Sequence, residues 1–108
     1  MQESHDARPG AGAPEAVVLA GQLTIATAQP AQARLLAALQ AERSVLLDCR
    51  GGTEFDVAFV QLLEAARLLA GRMGLAFHLA APLPEGLRAV LAGGGFAPLP
   101  ERAIEAAP

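Results

Sequence analysis

Apolar residues first gather at Val17-Val18-Leu19, a run that stops at Gly21 and predicts a buried strand ending in a turn. Leu23 to Thr27 reads as a loop, with Thr27 capping the next helix by accepting from a free backbone amide. From Ala28 to about Ala41 the spacing is helical. Ala31, Leu35, Ala38 and Leu39 fall on one side, and Pro30 sits in the first turn, where no intrahelical amide bond is lost. Ser44-Val45-Leu46-Leu47-Asp48-Cys49 is apolar without alternation, which predicts a central strand covered on both faces.

Arg50 to Glu54 contains two glycines and reads as a turn, and Asp56 follows as the N-cap of the clearest helix. With Phe59 pointing inward and a rotation of about 100° per residue, Leu62, Leu63, Ala66, Ala70 and Met73 fall within about 60° of it and form the core face. The opposite stripe, Val57, Gln61, Glu64 and Leu68, is more apolar than a solvated face requires. Gly71 and Gly74 end the helix. Leu75 to Ala80 alternates large apolar with small or polar residues, as a strand with unequal faces does. Pro82 to Leu91 reads as a short helix closed by Gly93-Gly94-Gly95, after which Phe96 returns to the core.

Residues 1–14 have no apolar period and are expected to be a disordered tail, 15–100 a single domain and 101–108 a C-terminal tail. The order β-α-β-α-β-α implies a mainly parallel sheet with right-handed crossovers.

Composition narrows the function classes. The chain has 108 residues, 53% of them hydrophobic, which is one domain's worth of compact core. It has no lysine, which excludes a phosphate-binding Walker loop and Schiff-base chemistry. The arginines are scattered, the net charge is -3 and Trp and Tyr are absent, so nucleic-acid binding is not expected. One cysteine, no secretory leader and no long apolar stretch predict a reduced, cytoplasmic protein without membrane insertion.

Candidate chemistry is sparse. Cys49, His5 and His78 do not stand at metal-ligand spacing, so no metal or other cofactor is expected. Glu54 and Asp56 make a conceivable acid–base pair, for which helix capping by Asp56 is the simpler reading. The two serines, Ser4 and Ser44, lie outside any nucleophile motif. The remaining distinctive feature is the capped start of the second helix beside its outward apolar stripe, a candidate docking face.

The segments Leu19 to Ala28, Val45 to Cys49 and Thr53 to Leu63, taken in order, closely resemble the STAS domain, shared by anti-sigma factor antagonists and the cytoplasmic ends of sulfate transporters. The resemblance runs from about Val17 to Phe96. It implies an α/β fold with a small mixed sheet of about four strands and helices packed mainly on one face. Family members usually carry a further strand ahead of Val17, which is expected to be missing or much shortened here because that stretch reads as a disordered tail. In the antagonists the second residue after the loop aspartate is a Ser or Thr phosphorylated by a partner kinase. Here that position is Ala58, which has no hydroxyl, so the domain would stay in the binding-competent form or be regulated by its partner, by abundance, or through Thr53 as a displaced acceptor. The implied role is a non-enzymatic interaction domain of bacterial signalling, partner-switching or chemotaxis-type systems. Its partner would be an anti-sigma factor, a kinase-like ATPase or another signalling protein, bound through Thr53, Glu54, Asp56, Val57, Ala58, Gln61, Glu64 and Leu68. The alternative is a STAS accessory subunit of a phospholipid-trafficking ABC transporter, bound to its ATPase.

Overall fold

The computed structural model describes residues 13–103. The expected N-terminal tail therefore lies, through residue 12, outside the described residues, as do residues 104–108 of the expected C-terminal tail. The elements are strand β1 (Glu15–Leu23), a 3-10 turn (Ile25–Thr27), helix α1 (Ala28–Gln40), strand β2 (Val45–Phe55), helix α2 (Val57–Arg72), strand β3 (Phe77–Ala81), helix α3 (Glu85–Gly93) and strand β4 (Glu101–Ala103).

A helix separates each strand from the next, so the chain returns to the same end of the sheet before every strand. The spatial order is accordingly β1-β2-β3-β4, and its three pairings are all parallel rather than mixed. Each crossover steps one strand over in the same direction, and a right-handed crossover then places its helix on the same face every time. Burial follows that rule. Val17, Leu19 and Leu23 of β1, Val45, Leu47 and Cys49 of β2, and Phe77 and Leu79 of β3 join the core under the helices. On the other face Ala16, Val18 and Ala20 are exposed, and Leu46 and Asp48 are half-buried. The expectation that β2 is covered on both faces is thus corrected: it alternates, and Leu46 conceals the alternation in the sequence.

The expected turn at Arg50 to Glu54 is also corrected, because β2 runs on to Phe55 and pairs with β1 as far as Leu23↔Phe55. Two register shifts, between Val18 and Ala20 and between Gly21 and Gln22, accommodate the twist of this long pair. Glycine is required at two places in it. Gly21 sits at φ 78°, and a Cβ on Gly52 would lie 2.4 Å from Phe55 Cζ and 2.9 Å from Leu23 Cδ1. Gly52, one of the two glycines that suggest a turn, is there because two side chains fold over the strand.

Helix α2 buries Phe59, Val60, Leu63, Ala66 and Ala70. Leu62 and Met73 are only half-buried. Val60 joins the buried set because α2 has neighbours on both flanks, α1 and α3, which widens its covered face. Thr27 makes no side-chain cap for α1. Its hydroxyl instead accepts from Thr24 N at 3.1 Å and donates to Gln22 O at 2.6 Å, and Thr24 caps the 3-10 turn. Part of the expected C-terminal tail is the strand β4, with Leu79↔Glu101 in register. Leu99, 3% exposed, anchors the approach, and Leu79 N donates to Pro100 O at 2.8 Å. All three β4 residues are exposed, so they carry no apolar pattern to read.

Two glycine substitutions test this account by denaturant unfolding. Gly52→Ala is expected to cost about 1–3 kcal/mol through overpacking against Phe55 and Leu23. Gly71→Ala, where an added Cβ meets nothing within 4 Å, is expected to stabilise by about 0.5–1 kcal/mol.

Candidate functional site

Because the strands are parallel, β1 and β2 end together, and the 3-10 turn and the start of α2 emerge side by side at that end. Asp56 joins them. As N-cap of α2 it accepts from Phe59 N at 2.9 Å through Oδ1, and its Oδ2 accepts from Ile25 N at 2.9 Å. One carboxylate thus satisfies two backbone amides on segments 31 residues apart and offers its negative charge to the N-terminal end of the α2 dipole. Phe55, just before it, tilts against Phe59 with ring centroids 6.0 Å apart. On the paired strand ends, Gln22 Nε2 donates to Glu54 Oε1 at 3.1 Å.

This clamp brings together a rim of exposed apolar and polar groups. Ile25 is 70% exposed and Val57 46%. Thr53 and Glu54 are exposed, and Asp56 and Ala58 are half-buried. Thr53 and Glu54 belong to β2, not to a loop, so their backbone is held in the sheet. Residue 58 is the second residue of α2, at the rim and not sealed in the core. The outward stripe continues along α2 through exposed Gln61 and half-buried Glu64 to Leu68, 52% exposed. Glu64 Oε1 accepts from Arg67 at 2.8 Å, a surface ion pair that adds little stability. Leu68 lies about 16 Å along the helix from Val57, so it extends the rim but is not part of its tip.

Ile25 is the residue that sequence reasoning missed. Its signal was available: a large β-branched residue between two threonines in a short connection, at a place where hydroxyls, not apolar packing, hold the backbone.

Among the described residues no assembly of reactive groups accompanies the rim. Burial, and then the negative charge of Asp48, pushes the Cys49 thiol up to about 12, so it stays protonated and non-nucleophilic at neutral pH. Cys49 is buried under the helices, whereas His78, in register with Leu46, lies on the open face. Glu54 and Asp56 have separate partners, a side-chain amide and two backbone amides. Asp48 is held by Arg50 through Nε to Oδ1 at 3.0 Å and Nη2 to Oδ2 at 2.9 Å, and that bond keeps its carboxyl below the usual range despite partial burial. Among the described residues no group of three or more His, Cys, Asp or Glu is placed to hold a metal ion. No helix among them is long and apolar enough to cross a membrane.

Asp56→Ala strands two amides and is expected to lower stability by about 1–2 kcal/mol in denaturant unfolding. Cys49 is expected to present about a thousandfold less thiolate than an ordinary thiol, its pKa having risen from 9.0 to about 12. A disulfide-exchange reagent should therefore label it only as fast as the fold opens, and fast labelling of the native protein would contradict its placement.

Comparison with known proteins adds one assignment. No curated protein matches the chain. A family model described as Mlab, STAS domain matches residues 7–100. That span takes in β1 to α3, the Asp56 clamp and the rim around it, and the chain belongs to the STAS domain family.

Proposed function

We propose that this chain is a non-catalytic docking domain of the anti-sigma factor antagonist type, which grips a protein partner with the rim made by Ile25, Thr53, Glu54, Asp56, Val57 and Ala58 and with the α2 stripe Gln61, Glu64 and Leu68. The observation that carries this reading is the Asp56 bridge, which fixes exposed Ile25 beside exposed Val57. Two large apolar side chains held outward on rigid backbone lose little entropy on being covered, which favours their use as anchors.

Ala58 bears on regulation. A phosphate at this position would add about -1.5 to -2 charge at the start of α2 and change what the rim can bind. Alanine has no hydroxyl to accept one, so the rim stays in a single charge state and binding is governed by the partner or by abundance. Thr53 is the remaining hydroxyl on the rim, held in β2. The family's signalling role, in partner-switching or chemotaxis-type systems, is one setting for such a domain. An accessory subunit bound to the ATPase of a phospholipid-trafficking ABC transporter is the second reading, and the lack of a switchable hydroxyl at residue 58 favours it, because a permanent subunit needs no release. In both settings the domain works in the cytoplasm, without a cofactor, nucleic acid or membrane insertion.

Capture from a native lysate distinguishes the two: an anti-sigma factor, a kinase-like ATPase or another signalling protein supports the first, and an ABC ATPase the second. In either case Ile25→Glu and Leu68→Glu are expected to weaken capture at least about tenfold while shifting stability by no more than about 0.5 kcal/mol, as exposed substitutions do. Undiminished capture by both variants would overturn the docking role of this face. Incubation with a kinase that phosphorylates antagonists should leave the wild type unlabelled and label Ala58→Ser; labelling of wild-type Thr53 would contradict the single charge state.

A further inference from the structure

The rim lies at the carboxyl ends of the strands. At their amino ends, roughly 30 Å away along β2 and on the face without helices, is a second feature that the docking reading does not use. A cavity of about 180 Å3 opens there, lined by Pro14, Ser44, Leu46, Ala76, His78 and Arg102 together with Val45. The register explains its membership. Ala16↔Leu46 and Leu46↔His78 form one cross-strand row, and Ala80↔Arg102 lies in the next row on the same face. Side chains alternate along a strand, so Pro14, Ser44 and Ala76, each two residues before a member of the first row, share that face.

The polar groups of this cavity are all able to donate. Ser44 is the buried polar residue of the described structure, 8% exposed. Its Oγ accepts from Ala76 N at 3.0 Å, and its own O–H finds no acceptor among the described hydrogen bonds. A buried hydroxyl with an unused proton facing a cavity is costly unless something accepts it. Arg102 brings a planar fork of N–H donors, and His78 brings at least one ring N–H. Neither takes part in a salt bridge among the described residues. Asp48, which shares this face, is paired with Arg50.

We infer that this cavity is a binding site for a carboxylate carried on a short apolar body, with Arg102, His78 and Ser44 donating to the carboxylate oxygens and Pro14 and Leu46 covering the body. Three donor-bearing side chains, one of them a permanent cation, favour an anion, and the guanidinium fork matches the planar geometry of a carboxylate. The apolar walls favour an organic acid over a fully hydrated inorganic ion. A water takes about 30 Å3 in the liquid, so the space suits a few heavy atoms. The same chemistry comes from a free short-chain acid or from an acidic side chain of a bound protein.

The test is titration of the full chain with butyrate, followed by amide chemical shifts. Saturable shifts confined to Leu46, Ala76, His78 and Arg102, with none at Ile25 or Val57, are expected. Arg102→Gln, an exposed position on β4, should weaken them at least about tenfold, the value of a charge-assisted hydrogen bond; Ser44→Ala should weaken them as well. Butanol should not saturate. The blocked peptide acetyl-Ala-Glu-Ala-amide, if tighter than butyrate, assigns the carboxylate to a protein side chain, and if weaker, to a free acid. Equal binding of butanol, tighter binding of inorganic phosphate than of butyrate, undiminished affinity of Arg102→Gln, or no saturable shift with any probe would each overturn the assignment.

Discussion

A chain that always crosses over right-handed, and always moves one strand further in the same direction, is compelled to stack its helices on one face. That constraint organises this protein. Three helices share one side of a four-stranded parallel sheet, and the core lies entirely between the two layers. The abundance of alanine suits the arrangement. Ala31 and Ala38 of α1 and Ala66 and Ala70 of α2 are buried, and their small side chains let the helices approach the sheet closely while Leu35, Leu39, Phe59 and Leu63 fill the remaining depth.

The same constraint shapes what the surface can do. Open parallel sheets bind small ligands at carboxyl ends where the strand order reverses, because the helices diverge there and leave a crevice. This sheet never reverses among the described residues, so its carboxyl end carries a rim and no such switch point. Asp56 ties the two halves of that rim together by bonding the backbone of two segments distant in sequence. The backbone at Ile25 and the start of α2 beside Val57 is consequently held together, which suits the proposed docking role. The glycine pair of β2 contributes indirectly, since Gly52 allows Phe55 to fold over the strand and meet Phe59 beneath the clamp.

The face without helices is the other consequence. It keeps Val18 exposed and places Ser44, His78 and Arg102 around a cavity at the amino ends of the strands. Rim and cavity occupy opposite ends of the same strands, so a partner on one need not exclude a ligand on the other. β2 connects them directly, from Ser44 at its start to Phe55 and Asp56 at its end.

Much of this was legible in the residues themselves. Apolar spacing places Phe59, Leu63, Ala66 and Ala70 inward and Leu68 outward, and Asp56 reads as a cap from its position before an amphipathic run, because helix periodicity and capping are local properties. Other features depend on what lies opposite in space. The continuation of β2 through Gly51-Gly52 requires β1 as its pairing partner, and β4 exists because Leu99 anchors exposed residues beside β3. Val60 is buried because α2 has a helix on each side. The second bond of Asp56, to Ile25, and the meeting of Ser44 with His78 and Arg102 join residues far apart in the chain. Short-range pattern thus determined the helices, their inward faces and the cap, while strand lengths, the rim and the cavity were decided by tertiary structure, since hydrogen bonds across strands carry no trace in the order of neighbours along one strand.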